Sequence, residues 1–128
     1  MLFLTARMVA MSRRVLSTDE KRGYLWPYDS WANRVAVSAF VRDIPMRENH
    51  PSWATLKRVE AGLGQFRDRM ALIVWGGRDF CFNDDFLNRW RGILPQAEVR
   101  RIADAGHYVL DDARAEVVPL IREFFSRP

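Results

Sequence analysis

Apolar positions recur at helical spacing through the first half of the chain and gather into two short strand-like runs in the second. The pattern predicts helices followed by a β-α-β-α unit. From Leu2 to about Leu16, the residues Leu4, Met8, Val9 and Met11 suit an amphipathic helix ending near Arg13-Arg14, where cations favour the helix dipole. Ser17-Thr-Asp-Glu20 reads as a capping box for a second short helix, stopped between Gly23 and Pro27. Asp29 or Ser30 caps a third, with Trp31, Val35, Val37, Phe40 and Val41 mostly on one side and Pro45 as terminator. Ser52 caps a fourth, along which Trp53, Leu56, Val59, Leu63 and Phe66 repeat, and Gly62 and Gly64 weaken its end.

In the second half, Met70 to Trp75 is a short apolar run that breaks at Gly76-Gly77 and delivers Asp79. It reads as a buried parallel strand with a functional carboxylate at its C-terminal end. After the loop Phe80-Cys-Phe-Asn-Asp84, Asp84 or Asp85 caps a helix through Trp90 and Leu94, ended by Pro95. A second strand, Glu98 to Ile102, leads through Ala103-Asp-Ala-Gly to His107, and an amphipathic helix from Ala113 to Phe125 closes the chain, with Pro119 as an irregularity. The intervening helix has crossover length, so the two strands run parallel and their C-terminal ends open on the same sheet edge, where α/β proteins hold ligands. Asp79 and His107 can therefore meet. Two strands cannot cover the apolar faces of this many helices, so further strands are expected upstream.

Composition narrows the classes. The 128 residues suit one domain or part of one, and a hydrophobic content of 48% is enough for a core. The formal charge is +4, but the bases are spread thinly and almost all are Arg, with Lys21 and Lys57 the only lysines. No aromatic-interleaved basic stripe marks a nucleic-acid groove. The single cysteine, Cys81, excludes an internal disulfide, and two histidines leave little for zinc. Arg7 interrupts the apolar N-terminus, which argues against a secretory signal, and no run reaches the ~18–20 apolar residues of a membrane span. A cytoplasmic location is the default expectation.

A carboxylate followed in sequence by a histidine, each at a strand end, has the order of the last two members of a nucleophile, acid and base triad in α/β-hydrolases. The carboxylate accepts the imidazole Nδ1 hydrogen and fixes the tautomer, leaving Nε2 as general base. Asp79 is the candidate orienter and His107 the candidate base, with Gly106 giving the backbone room for a sharp exit.

Ile73-Val-Trp-Gly-Gly-Arg-Asp79, Ile102-Ala-Asp-Ala-Gly-His-Tyr108 and the closing helix resemble the C-terminal part of an α/β-hydrolase of the haloalkane dehalogenase-like branch. Gly76-Gly-Arg-Asp-Phe-Cys-Phe-Asn-Asp84, Tyr28-Asp-Ser-Trp-Ala-Asn-Arg34 and Phe40-Val-Arg-Asp-Ile-Pro45 are most similar to the β-lactone decarboxylases of long-chain olefin biosynthesis. The resemblance implies an α/β fold class: a helical cap-like segment over residues 1–45, then the C-terminal β-α-β-α portion of the main domain over 46–128, with an incomplete sheet. It implies catalytic roles for Asp79 and His107, a small apolar substrate in the complete enzyme and no metal or organic cofactor. In such an enzyme an aspartate forms a covalent ester, which water activated by His107 takes apart. That nucleophile lies on a glycine-flanked elbow before the cap, and this sequence has no Gly-x-Ser-x-Gly or Gly-x-Asp-x-Gly. The expectation is a truncated or split hydrolase, inactive alone, whose first strand offers a bare edge to an N-terminal half or to a second copy. The alternative is a non-catalytic interaction module that docks a partner through that edge.

Other residues carry competing readings. Cys81 could pass for a nucleophile beside His107, but Phe80 and Phe82 favour a pocket-lining thiol. Trp26, Trp31 and Trp53 could line a substrate cavity or donate an indole N–H, with core or cap packing as the default. His50 suits a solvent-facing or capping role, and one of Asp104, Asp111 and Asp112 could replace Asp79 as orienter.

Overall fold

The structure is a computed structural model that describes residues 16–127. The helix expected from Leu2 onward lies outside the described residues. The rest forms two compact units, divided between Gln65 and Phe66.

In the first unit, helix α1 (Thr18–Leu25) opens with the expected capping box. Glu20 Oε2 accepts the Ser17 N–H at 2.8 Å, and Ser17 Oγ accepts the Glu20 N–H at 3.2 Å. A 3₁₀ turn, Trp26–Tyr28, holds Pro27. The third helix starts later than the pattern suggests. Ser30 Oγ accepts the Asn33 N–H at 3.2 Å and Asp29 Oδ1 accepts the Asn33 side-chain amide at 2.7 Å, local bonds that favour a tighter turn. The chain therefore forms a 3₁₀ turn, Ala32–Arg34, before helix α2 (Val35–Arg42).

Helix α3 (Trp53–Gly62) begins after Ser52, but the Ser52 side chain caps nothing because its backbone is already helical. His50 serves the corner instead. Its Nδ1 accepts the Ser52 N–H at 3.2 Å, so Nε2 carries the proton and donates to the Arg42 carbonyl at 3.3 Å. The imidazole thus ties the end of α2 to the start of α3. Trp26 and Trp31 are 76% and 83% exposed, so the packing expected of them is not met among the described residues.

The second unit contains β1 (Leu72–Gly76), α4 (Asp84–Ile93), β2 (Glu98–Ile102), α5 (Val109–Asp112) and α6 (Arg114–Ser126). The strands pair in parallel from Leu72 opposite Glu98 to Gly76 opposite Ile102. The first starts two residues after Met70 and includes Gly76, one beyond the expected end. Helix α4 is capped by Asn83, whose side chain accepts the Asp85 N–H at 3.0 Å, and not by Asp84 or Asp85. Both aspartates occupy the first turn, where their charge favours the helix dipole. Helix α5, a single turn, went unread because Val109-Leu-Asp-Asp112 is too short to show a period. Pro119 lies within α6 as expected, where it lacks the N–H that the helix ladder uses.

Ile102, Ala105, Ala113 and Val117 form the core cluster, against which Val74, Val109 and Ile121 pack. Burying Val117 alone is worth about 1.5–3 kcal/mol. Arg101 grips Asp84 through Nε and Nη2 at 2.8 and 3.0 Å, and Arg127 Nη1 reaches Glu98 at 2.7 Å. The hydrogen bonds from Arg101 and Arg127 lower the pKa values of Asp84 and Glu98 respectively. Folded-state values below the unfolded ones stabilise the fold above about pH 4, and this contribution is lost as pH falls through the lowered values. The melting temperature should decline on acidification below about pH 4, and Arg101→Gln should flatten part of that decline in a thermal melt series. Among the described residues, no helix is long and apolar enough to cross a membrane.

Candidate acid and base site

The ends of β1 and β2 are laced together beyond the sheet. Gly77 donates its N–H to Ile102 O and Arg78 donates to Ala105 O, both at 2.8 Å. The two turns approach so closely that only glycine fits between them. A Cβ on Gly76 would overlap the Gly106 carbonyl oxygen and stand 2.9 Å from Ala105 O, and one on Gly77 would stand 2.7 Å from Ala103 O. Contact, not dihedral freedom, requires these residues, since no described glycine has positive φ. Gly106 therefore needs no left-handed backbone to launch His107, and its carbonyl instead packs on Gly76.

This lacing brings Asp79 and His107 together. His107 Nδ1 lies 3.0 Å from Asp79 Oδ1 and 3.1 Å from Oδ2. Asp79 Oδ1 also accepts the N–H groups of Cys81 and Phe82, each at 2.8 Å. The carboxylate thus shapes its own loop and orients the imidazole. Three bonds to Oδ1 hold the acceptor in place, and the side chain is only 9% exposed.

Two supports hold the loop from outside. Trp75 donates its indole N–H to Phe82 O at 3.0 Å, and Arg101 Nη2 donates to Gly77 O at 3.0 Å. The sequence reading missed both. The one available signal was the alternation along β1, which points Trp75 away from the face of Val74; Arg101, one of several charged residues in the crossover unit, carried none.

The His107 ring is surrounded by aromatic groups, with centroids 5.6 Å from Phe80, 5.5 Å from Phe82 and 5.4 Å from Tyr108. Burial, followed by the nearby Asp111 charge, pushes the Tyr108 hydroxyl above its ordinary pKa, so it stays neutral and protonated. Phe80 and Phe82 remain half-exposed, leaving an apolar approach to the imidazole. With Nδ1–H donated to Asp79, the Nε2 lone pair is available, and it has no hydrogen-bond partner among the described residues. The arrangement is suited to taking a proton at Nε2 while Asp79 stabilises the resulting imidazolium.

The remaining candidates separate clearly. Asp79, not Asp112, meets His107 Nδ1; Asp112 Oδ2 accepts the Gly106 N–H at 2.7 Å in a buried bond. Cys81 is exposed and contributes its backbone N–H to Asp79.

No family model matches the chain. It is 43% identical over 122 residues to a cis-3-alkyl-4-alkyloxetan-2-one decarboxylase from Xanthomonas campestris, a match covering 95% of this chain and 40% of that protein. It is 37% identical over 121 residues to the enzyme of that name from Shewanella oneidensis, covering 94% of this chain and 38% of that protein. The chain spans about two fifths of the length of the curated relatives it matches. Over almost its whole length, it is homologous to a part of the cis-3-alkyl-4-alkyloxetan-2-one decarboxylases.

Proposed function

We propose that this chain forms the acid and base part of an α/β-hydrolase-type decarboxylase acting on a small apolar β-lactone, with Asp79 as orienting carboxylate and His107 as general base. The observation that carries the reading is the bond from His107 Nδ1 to both Asp79 oxygens, made at adjoining parallel strand ends and leaving Nε2 bare. The homology to oxetan-2-one decarboxylases supports the substrate class. Decarboxylation of a 3,4-dialkyl oxetan-2-one breaks the bonds from the ring oxygen to C4 and from C2 to C3. Carbon dioxide leaves with both oxygens, and a double bond joins C3 to C4, with no net gain or loss of a proton, so a proton that His107 takes at Nε2 is handed back before the cycle closes. Phe80 and Phe82 would favour the alkyl arms beside His107.

In this reading, the stretch before Met46 corresponds in role to the cap and the stretch from Met46 onward to the C-terminal part of the main domain. The nucleophile and the oxyanion donors come from sequence outside this chain, so the chain alone is inactive. An apolar groove of about 340 Å³, lined by Leu72, Val74, Val117, Ile121 and Phe124 among others, supports a place for more protein beside the sheet. So does the second edge of β1, which pairs with no described strand. Joining the chain to the preceding part of the Xanthomonas relative and measuring carbon dioxide release from a cis-3-alkyl-4-alkyloxetan-2-one tests the proposal. Turnover supports it, and a folded chimera without turnover counts against it.

The same bare edge favours a second reading, a docking module without chemistry. His107→Ala would then leave binding to the partner unchanged, and neither form of the complex would turn over substrate.

A further inference from the structure

We propose that Asp112 is a positioning residue for His107, acting through the Gly106 backbone. The proposal rests on the reading of His107 as the base, and it assigns a role to a buried carboxylate that the Asp79–His107 pair does not use. Asp112 is 7% exposed, and charged side chains are seldom so buried unless they are paired. Its Oδ2 accepts the Gly106 N–H at 2.7 Å, at the short end for an N–H donor and in the range of charge-assisted bonds.

The geometry makes this bond a clamp on the histidine. Helix α5 is one turn long, closed by the Asp111 and Asp112 N–H groups donating to Tyr108 O at 2.9 Å. That turn folds the Asp112 carboxylate back on the residue preceding His107. The peptide launching the imidazole is then held at three points. Ala105 O accepts the Arg78 N–H, Gly106 O rests on the Gly76 backbone, and Gly106 N–H is held by Asp112. The first two contacts come from the loop carrying Asp79, and the third comes from the opposite, C-terminal side of His107. Without it, the launching peptide could pivot about its contacts with the acid loop, and Nδ1 would no longer meet both Asp79 oxygens. Asparagine presents an oxygen in the same place, whereas alanine leaves the buried Gly106 N–H without its acceptor.

The test uses the full chain with His50→Gln, which makes His107 the only imidazole. Two NMR signals are followed in wild type, Asp112→Ala and Asp112→Asn: the His107 ring nitrogens with the Nδ1 proton, and the Gly106 amide. The expected result is that the two signals move together. Asp112→Ala shifts the Gly106 amide and loses the protected Nδ1 proton, speeding its exchange by about tenfold or more, while Asp112→Asn keeps both. A merely structural role would lower the melting temperature and leave the ring signals in place. The proposal is overturned if the Gly106 amide shifts in a folded variant and the His107 ring does not. Should Asp112→Ala fail to fold, Asp112→Ser, whose shorter side chain draws the acceptor back from Gly106, takes its place: joint movement of both signals supports the clamp, and a Gly106 amide that moves while the His107 ring does not refutes it. Asp79→Ala serves as reference: if it leaves the wild-type ring signals unchanged, the acid and base reading itself fails, a result distinct from failure of Asp112 alone.

Discussion

In the chimera with the preceding part of the Xanthomonas relative, His107→Ala should reduce carbon dioxide release by at least about 10²–10⁴-fold, the usual worth of a positioned general base. The substitution removes Nε2 while leaving the Asp79 loop held by its bonds to Cys81 and Phe82. Binding of substrate should change far less, so the loss should appear in kcat and not in KM. Asp79→Asn should lose activity by a similar order, because an amide can present N–H to Nδ1 and stabilise the wrong tautomer. The double variant should be scarcely worse than either single one, since the two act as a unit. A His107→Ala chimera that turns over at the parent rate would remove the base assignment.

Gly76→Ala should be the most destabilising single-methyl change in the second unit, costing about 3 kcal/mol. The added carbon would overlap the Gly106 carbonyl oxygen, and both partners are backbone, so no flexible side chain can yield. The only relief is to separate the turn after β1 from the turn after β2, which also draws Asp79 away from His107. A drop of roughly 10–20 °C in melting temperature is expected from that cost. Gly92→Ala provides the contrast. Nothing lies within 4 Å of its added Cβ, and it sits in α4, so the change should stabilise by about 0.5–1 kcal/mol. Chemical denaturation of the two variants beside the parent chain checks both.

Most of the second unit was legible because its signals are local and redundant. The apolar run before Gly76-Gly77, the strand ending at Ile102 and a crossover helix between them leave one topology, and that topology brings Asp79 to His107. Capping chemistry was legible where two side chains answer each other, as Ser17 and Glu20 do, and misread where several candidates compete. Asn83 took the cap from Asp84 and Asp85, and His50 tied the corner at which Ser52 only occupies the cap position. The clasp of Gly76 on Gly106 and the bond from Asp112 to Gly106 were hidden because they depend on distances between turns that no spacing encodes. A glycine pair after a strand reads first as a turn; here it marks close approach. Trp26 and Trp31 stay exposed among the described residues, because an apolar side chain indicates that something should cover it without naming the cover.

The state of the His107 ring is read most directly by ¹⁵N NMR of the imidazole nitrogens at alkaline pH in the His50→Gln background. The prediction is a neutral ring with the proton on Nδ1, held by Asp79, and a bare Nε2, with the preference abolished by Asp79→Ala. A ring protonated on Nε2, or a tautomer mixture indifferent to Asp79, would contradict the proposed role of this pair.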